Sequence, residues 1–355
     1  MNRSGFLSFM SAVLVLIIGL LIGLVILLVS DASQAFTAFW TILSFGLRSM
    51  RNIGDVLLNA TPIILTGLSV AFAFKTGLFN IGATGQLTVG AFVAIYIGIE
   101  FTFLPPPLRI LASVLGAALA GALVGAVPGI LKAYRNVHEV ISCIMMNYIS
   151  MFLVNFLIIN FLFDQGQGRS LPMPRESNLP QAGLNYIFRD GLRASNVNLG
   201  IIIAIAVAIL IYIILEKTTF GYELKACGFN RDAAKYAGIN ENRNIVASMM
   251  ICGALAGMGG ALMLMSGTGM RMDTVDSLAP EGFTGISVAF LGLNNPIGII
   301  FSGILVAYLS LGGARMQPFG FSAEIVEVVI SVIIYFCAFV FLVKAMLGKF
   351  LKGGN

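Results

Sequence analysis

Apolar residues run in long blocks along this chain, and polar residues gather in the short gaps between them. Residues 6–30 hold 25 positions without a charge. About 20 mostly apolar residues are enough for a helix to cross a bilayer. Further blocks of this kind cover 55–74, 83–100, 108–131, 139–163, 199–215, 244–265, 281–293, 296–313 and 322–343. The block at 281–293 is short, and a half-helix at membrane depth must pack inside protein, away from lipid. The pattern predicts an all-α membrane protein. It is a polytopic helical bundle of ten transmembrane segments, or nine with one re-entrant half-helix, forming a single transmembrane domain over 1–355. The first block follows a head with one arginine, Arg3, and no clear A-x-A cleavage site comes after it. It reads as a retained span rather than a leader.

The gaps carry their own signals. AFTAFWTILSFGLRSM, within 31–54, is too polar at its ends for a span and reads as an amphipathic helix at the outer interface. The longest extracytoplasmic loop is 164–198, where Pro172, Pro174 and Pro180 argue against a long helix. Gly121, Gly125 and Gly129 recur every fourth residue, as do Gly19 with Gly23 and Gly253 with Gly257. Small residues at this spacing let helices approach closely, here by packing within one subunit rather than between subunits. GATGQLTVGAFVA (82–94) faintly resembles APEGFTGISVAFL (279–291). An internal repeat would place a substrate site between the two elements.

Composition agrees with this picture. The chain is 58% apolar and 10% charged, with mean hydropathy +0.95, whereas soluble domains carry about 25% charged residues. The net charge of +5 matters by where it sits, and is no argument for nucleic acid. With the N-terminus in the cytoplasm, the inner segments hold 12 of the 21 basic residues. These are Arg3, Lys75, Lys132, Arg135, five between 216 and 243, and Lys344, Lys349 and Lys352. Both termini are then cytoplasmic, in a multi-pass protein of the cell membrane. The four cysteines form no C-x-x-C pair, which argues against zinc or a disulfide framework. His138, the single histidine, stands beside Glu139 as an interfacial residue with no metal ligands near it. One histidine also leaves little for Ser/His/Asp catalysis.

Charge is concentrated in one place. Residues 216–243 carry nine of the 37 charged residues (21 basic and 16 acidic). Asn230 suits an N-cap, Asp232 the first turn, Lys235 the last, and Gly238 the left-handed position beyond it. This predicts a short helix over 231–237. So short a helix is unstable alone in water, so it folds onto its own spans or docks into a partner's groove.

The same stretch carries a resemblance. T-x-F-G-x-x-L-x-A-x-G-x-N-x-x-A-A-x-x-x-G-I is met at Thr218 or Thr219, Phe220, Gly221, Leu224, Ala226, Gly228, Asn230, Ala233, Ala234, Gly238 and Ile239. It resembles the coupling loop of permease subunits of ATP-binding-cassette importers, in the branch for simple sugars, nucleosides and branched-chain amino acids. GLFNIGATGQ (77–86) and VHEVISCIMMNYI (137–149) resemble signatures of the nucleoside-type permeases. His138, Ser142, Cys143 and Thr84 depart from the usual residues there. The likeness runs from about residue 50 to 343. It implies that Gly221, Glu223, Ala226, Gly228, Asn230, Arg231, Ala233, Ala234 and Gly238 couple the spans to a separate ATPase. That partner would hold ATP and magnesium, this chain holding no cofactor or metal. It also implies a second permease, homologous or identical, and an extracytoplasmic substrate-binding protein. Independently, the chain lacks a G-x-x-x-x-G-K-[ST] phosphate loop, so any ATP hydrolysis belongs to another chain and this one is not an enzyme.

Polar side chains inside spans are costly and tend to face a cavity. Asn80, Gln86, Asn147, Tyr148, Glu281 and Phe283 are the candidates for a substrate path, with Asn155 on roughly the face of Asn147. Amides and aromatic rings suit a nucleoside's sugar hydroxyls and flat base. The competing reading is that the amides bond neighbouring helices. Glu324 and Glu327 follow a candidate cap at Ser322 and read as an ordinary acidic helix start. Arg169 and Arg175, with Arg189 and Arg193, are candidates for docking the binding protein. The sequence thus predicts a nucleoside importer permease working by alternating access. The alternatives are a simple sugar as solute, or a stand-alone carrier or channel for small polar solutes.

Overall fold

The computed structural model describes residues 3–350, apart from Thr268, Val275 and Ala338; Lys352 of the basic tail lies outside the described residues. The helices are α1 (Arg3–Ser30), α2 (Ala35–Ser44), α3 (Met50–Lys75), α4 (Ala83–Glu100), α5 (Pro106–Arg135), α6 (Glu139–Leu157), α7 (Leu184–Ile187) and α8 (Gly200–Lys217). They continue with α9 (Thr219–Phe229), α10 (Arg231–Tyr236), α11 (Glu241–Leu264), α12 (Pro280–Leu291), α13 (Pro296–Ala314), α14 (Ala323–Cys337) and α15 (Val340–Phe350). Among the described residues, eight helices are long and apolar enough to cross a bilayer, and α14 with α15, bent by 43°, makes a ninth.

The short block at 281–293 is α12, of 12 residues. At 1.5 Å per residue it spans about 18 Å, short of a hydrocarbon core of about 30 Å. The chain still traverses the bundle here. Leu179, Met173 and Ser170 of the long loop donate backbone hydrogen bonds to Met265, Met270 and Met272. So α11 ends at the loop's end of the bundle, called the upper end below. At the far end of α12, the Phe290 ring lies 5.0 Å from that of Phe74, at the lower end of α3. The descent is made between Met265 and Ala279, where the described residues form no helix, and then by α12. Next α13 climbs back, Gly303 packing on Ile64 and Gly312 on Ile42. The short element is thus the lower half of a crossing, not a hairpin returning to the side it left. At the lower end, Ala12 and Val13 share a cavity with Leu291 and Leu293, and the Phe341 ring meets that of Phe290. Both described ends of the chain therefore lie at one end of the bundle, with α9 and α10.

The centre is α3, buried at every position from Ala60 to Ala73 and packed by α8, α11, α12 and α13. Its neighbour pair α5 and α11 shows what the spaced glycines do. A Cβ on Gly121 would collide with the Gly253 carbonyl, and one on Gly253 with the Gly121 carbonyl. Gly125 meets the Met249 carbonyl and Gly257 that of Ala117 in the same way. Gly19 and Gly23 seat α1 on Ile333 and Val329 of α14. These stripes all close contacts within the chain.

The amphipathic segment is α2. It buries Ala35, Ala38, Thr41 and Ile42 and turns Phe36 and Trp40 outward. Between 163 and 199 the prolines leave one four-residue helix, α7, and two two-residue hairpins: β1 (Phe163–Asp164) with β2 (Arg169–Ser170), and β3 (Arg189–Asp190) with β4 (Arg193–Ala194). The two similar segments, 82–94 and 279–291, both begin helices, and their first turns abut. A Cβ on Gly282 would strike the backbone of Thr84.

Candidate functional site

The turn between α3 and α4 is locked by amides. Asn80 Nδ2 donates to Ser69 Oγ at 2.9 Å and to Gln86 Oε1 at 2.8 Å, and Gln86 Nε2 donates back to Asn80 Oδ1 at 3.1 Å. Asn147 Oδ1 accepts from the Gly85 N–H at 2.9 Å, and its Nδ2 donates to the Ile81 carbonyl at 3.0 Å. All three amides are buried. The structure brings these sequence candidates together, with their hydrogen bonds made to one another and to backbone. That is what burial of an amide requires. Tyr148 lies elsewhere, on the outward stripe of α6 with Ile141, Met145 and Phe152. Asn155 lines a separate cavity of about 250 Å³ with Thr88 and Arg271.

A larger cavity, about 560 Å³, opens between α3, α12, α13 and α14. Its polar lining is Asn59, Glu281, Thr284, Ser310, Glu327 and Ser331, and its walls include Ile63, Leu278, Leu311 and Ile334. Of the sequence candidates Glu281 belongs here; Phe283, on the same helix, is not among the lining residues. Sequence reasoning missed Asn59, Ser310 and Ser331, and took Glu327 for an ordinary helix start. A signal was present: Glu327 and Ser331 stand one turn apart in a mostly apolar helix, so they share a face. The size lies in the range of small-molecule sites, roughly 300–1,000 Å³. Apolar walls with several convergent polar groups suit a solute that is part flat ring and part polyol.

At the lower end α9 folds back under α8, and α10 follows at once. Thr218 caps α9 through Gly221 N–H, and Asn230 caps α10 through Ala233 N–H at 3.0 Å. Gly238 closes α10 with φ of 82°, the left-handed conformation that glycine adopts freely. Gly221 is buried where a Cβ would meet the Ile214 carbonyl, and a Cβ on Gly228 would press on the Lys75 carbonyl at the end of α3. Arg231 turns inward to Glu241 Oε2 at 2.9 Å and Asn242 Oδ1 at 3.1 Å. Glu223 accepts from Asn244 Nδ2 at 3.1 Å. Burial raises the pKa of the neighbouring Cys227 thiol. Ala226 is half-buried and Ala234 buried. These residues fasten the helix pair to the spans. What the pair presents outward is Asn230, Asp232, Ala233, Lys235 and Gly238, with Phe229 and Tyr236 at 91% and 93% exposure. Tyr236 stands in the sequence beside the alanine face of the short helix; Phe229 was not singled out.

At the upper end the long loop is clasped to the 270–273 stretch. Arg271 Nη1 meets Asp164 Oδ2 at 2.7 Å, and this hydrogen bond holds the Asp164 carboxyl below its ordinary pKa. Arg169 is engaged in the clasp, bonding Gln167 and pairing with Asp273 at 3.8 Å. Arg175 is exposed and lines a polar depression of about 360 Å³ with Asn178, Gln181 and Asn196. Arg189 and Arg193 stand exposed on the β3–β4 hairpin.

Comparison with known proteins adds to this geometry. Residues 52–338 match the family described as the branched-chain amino acid transport system permease component. The guanosine ABC transporter permease protein NupP of Bacillus subtilis is 39% identical over 342 residues, 96% of this chain and 95% of the relative. The nucleoside ABC transporter permease protein NupB of Lactococcus lactis is 36% identical, covering 94% of this chain and 92% of its own. The glucose ABC transporter permease protein TsgB13 of Haloferax volcanii is 30% identical, covering 82% and 77%. No solved structure matches. The helical bundle, the helix pair below it and a match over most of the length agree: this chain belongs to the branched-chain amino acid transport permease family, and is a multi-pass membrane permease, a transport component.

Proposed function

We propose that the chain is the membrane-spanning subunit of an ATP-driven importer for nucleosides. The observation that carries this reading is the cavity between α3, α12, α13 and α14, of about 560 Å³. Asn59, Glu327 and Ser331 are exposed there although they sit in segments of spanning character. Hydrocarbon does not tolerate such groups, so water, solute and a second permease face them. Alternating access between two packings of the bundle would then carry the solute through. The buried amides Asn80, Gln86 and Asn147 hold the α3–α4 turn in shape beside that path.

Energy enters from the lower end. A separate ATPase, holding ATP and Mg²⁺, grips the exposed tip of α9 and α10. Both chain termini would then be cytoplasmic in a cell membrane, a reading supported by the described ends of the chain lying at the same end of the bundle as that tip. An extracytoplasmic binding protein delivers solute at the upper end, where Arg175 is free to meet an acidic partner. A nucleoside is preferred to a sugar because the relatives at 39% and 36% identity are named for guanosine and nucleosides, and the sugar-named one is 30% identical. A stand-alone carrier has no support in the names of these relatives.

The test is uptake of labelled guanosine into proteoliposomes containing the permease, its partner permease, the ATPase and the binding protein. Uptake that requires ATP and the ATPase is expected. Gradient-driven uptake by the permease alone would overturn the reading, and ATP-driven uptake of glucose without guanosine would move the solute to the sugar class.

A further inference from the structure

The polar lining of the large cavity has a sign. Two of its residues, Glu281 and Glu327, are carboxylates, and among the described residues no lysine, arginine or histidine lines it. Neither carboxylate has an ion-pair partner among the described residues. The other polar groups are Asn59, Thr284, Ser310 and Ser331, all neutral donors and acceptors. The two charges come from different helices, α12 and α14, so they bound the cavity from two sides. Low-dielectric walls such as Ile63, Leu311 and Ile334 strengthen the field between them.

We infer that Glu281 and Glu327 make this cavity an anion-rejecting filter that admits neutral nucleosides and excludes their phosphorylated forms. The inference rests on the reading of the cavity as the solute path. A neutral nucleoside brings sugar hydroxyls, which can donate to carboxylate oxygens. A nucleotide brings a phosphate with nearly two negative charges and no donor to match. At a partly screened dielectric, each carboxylate within several ångströms of such a charge is worth about ten-fold or more in occupancy. Selection at this step would act on the substrate after its delivery, independently of the delivering protein.

Ser331 offers a direct probe. It is exposed one helical turn from Glu327, and the four native cysteines are buried. In the assembled transporter in proteoliposomes, Ser331→Cys is labelled with a cationic trimethylammonium-ethyl and an anionic sulfonatoethyl methanethiosulfonate. Each rate is divided by that of a small free thiol. The cationic reagent is expected to be favoured about ten-fold or more, and the preference to fall stepwise in Glu327→Gln and in Glu281→Gln with Glu327→Gln. A normalised ratio near one with both carboxylates intact overturns the filter. Each variant is checked for a monodisperse elution profile, and exposed Glu327 makes the single variant the safer arm.

A second arm separates the filter from the path. Guanosine should slow labelling of Ser331→Cys, and guanosine 5′-monophosphate at equal concentration should not, until both carboxylates are replaced by glutamine. A carboxylate-dependent ratio without protection by guanosine keeps the charge effect and sinks the path. Protection by both solutes with the carboxylates intact keeps the path and sinks the filter.

Discussion

Gly121 on α5 and Gly253 on α11 stand face to face so closely that each occupies the space the other's Cβ would need, carbonyl against missing side chain. Small residues at helix contacts replace the hydrophobic drive that lipid cannot supply, and here they bind two spans of one chain. Gly253→Leu would force the helices apart. Overpacking of this kind costs about 1–3 kcal/mol, and more where backbone must move. A lower melting temperature and loss of the monodisperse peak in detergent are expected, whereas Leu119→Ala on the outward face of α5 should change neither. A Gly253→Leu protein as stable as the parent would refute this packing.

The exposed tip of the lower helix pair predicts a separation of stability from transport. Phe229 and Tyr236 touch little within the chain, so replacing either with alanine should leave the melting temperature unchanged. Buried aromatic anchors at interfaces are worth about 2 kcal/mol or more, roughly a 30-fold loss in affinity for the ATPase. Titration of purified ATPase onto the permease checks this. Arg231→Ala should act differently, loosening α10 from α11 by removing the bonds to Glu241 and Asn242, with a smaller loss of affinity and visible proteolysis between 229 and 241.

Asn80 and Asn59 should part company in the same way. Removing the Asn80 amide leaves the buried Gln86 amide unmatched, Ser69 keeping its bond to the Cys252 carbonyl, at a cost of about 1–3 kcal/mol. Asn80→Ala is therefore expected to melt earlier. Asn59 is exposed at the cavity, so Asn59→Ala should stay within about 0.5 kcal/mol of the parent while uptake of guanosine changes. Thermal unfolding of both variants, beside their uptake rates, decides; equal destabilisation would contradict the division.

Acid should release the upper clasp. Arg271 holds the Asp164 carboxyl below its ordinary pKa, chiefly by its hydrogen bond. A carboxylate with a depressed folded-state pKa contributes stability above its unfolded value and loses it as pH falls through the folded one. No change is thus expected between pH 7 and 5, and loosening of the 164–198 loop only below about pH 4. An acid-active protease cutting the loop at low pH, and not cutting Asp164→Asn any later, would show the dependence. A transition centred near pH 6 would point to another group.

Much of this was legible from residues alone because it depends on near neighbours. Asn230 and Gly238 bracket a short helix by local capping chemistry, and α10 forms at Arg231–Tyr236. The polar ends of AFTAFWTILSFGLRSM announce an amphipathic helix rather than a span, and α2 is there. Arg169 was less legible. Its partner Asp273 lies more than 100 residues away, and no local pattern distinguishes a clasped arginine from a free one.

The amino-acid sequence by itself determined the apolar segments, their order, the caps of the short helices and the family. Composition and short-range spacing carry each of these. Only the tertiary structure decided that Asn80 and Gln86 bond each other and Asn147 bonds the backbone of their turn, while Glu281 and Glu327 border open space, and that a half-helix completes one crossing. Those outcomes follow from how far each helix is rotated and how deep it sits, and both are set by the packing of distant segments rather than by the segment itself.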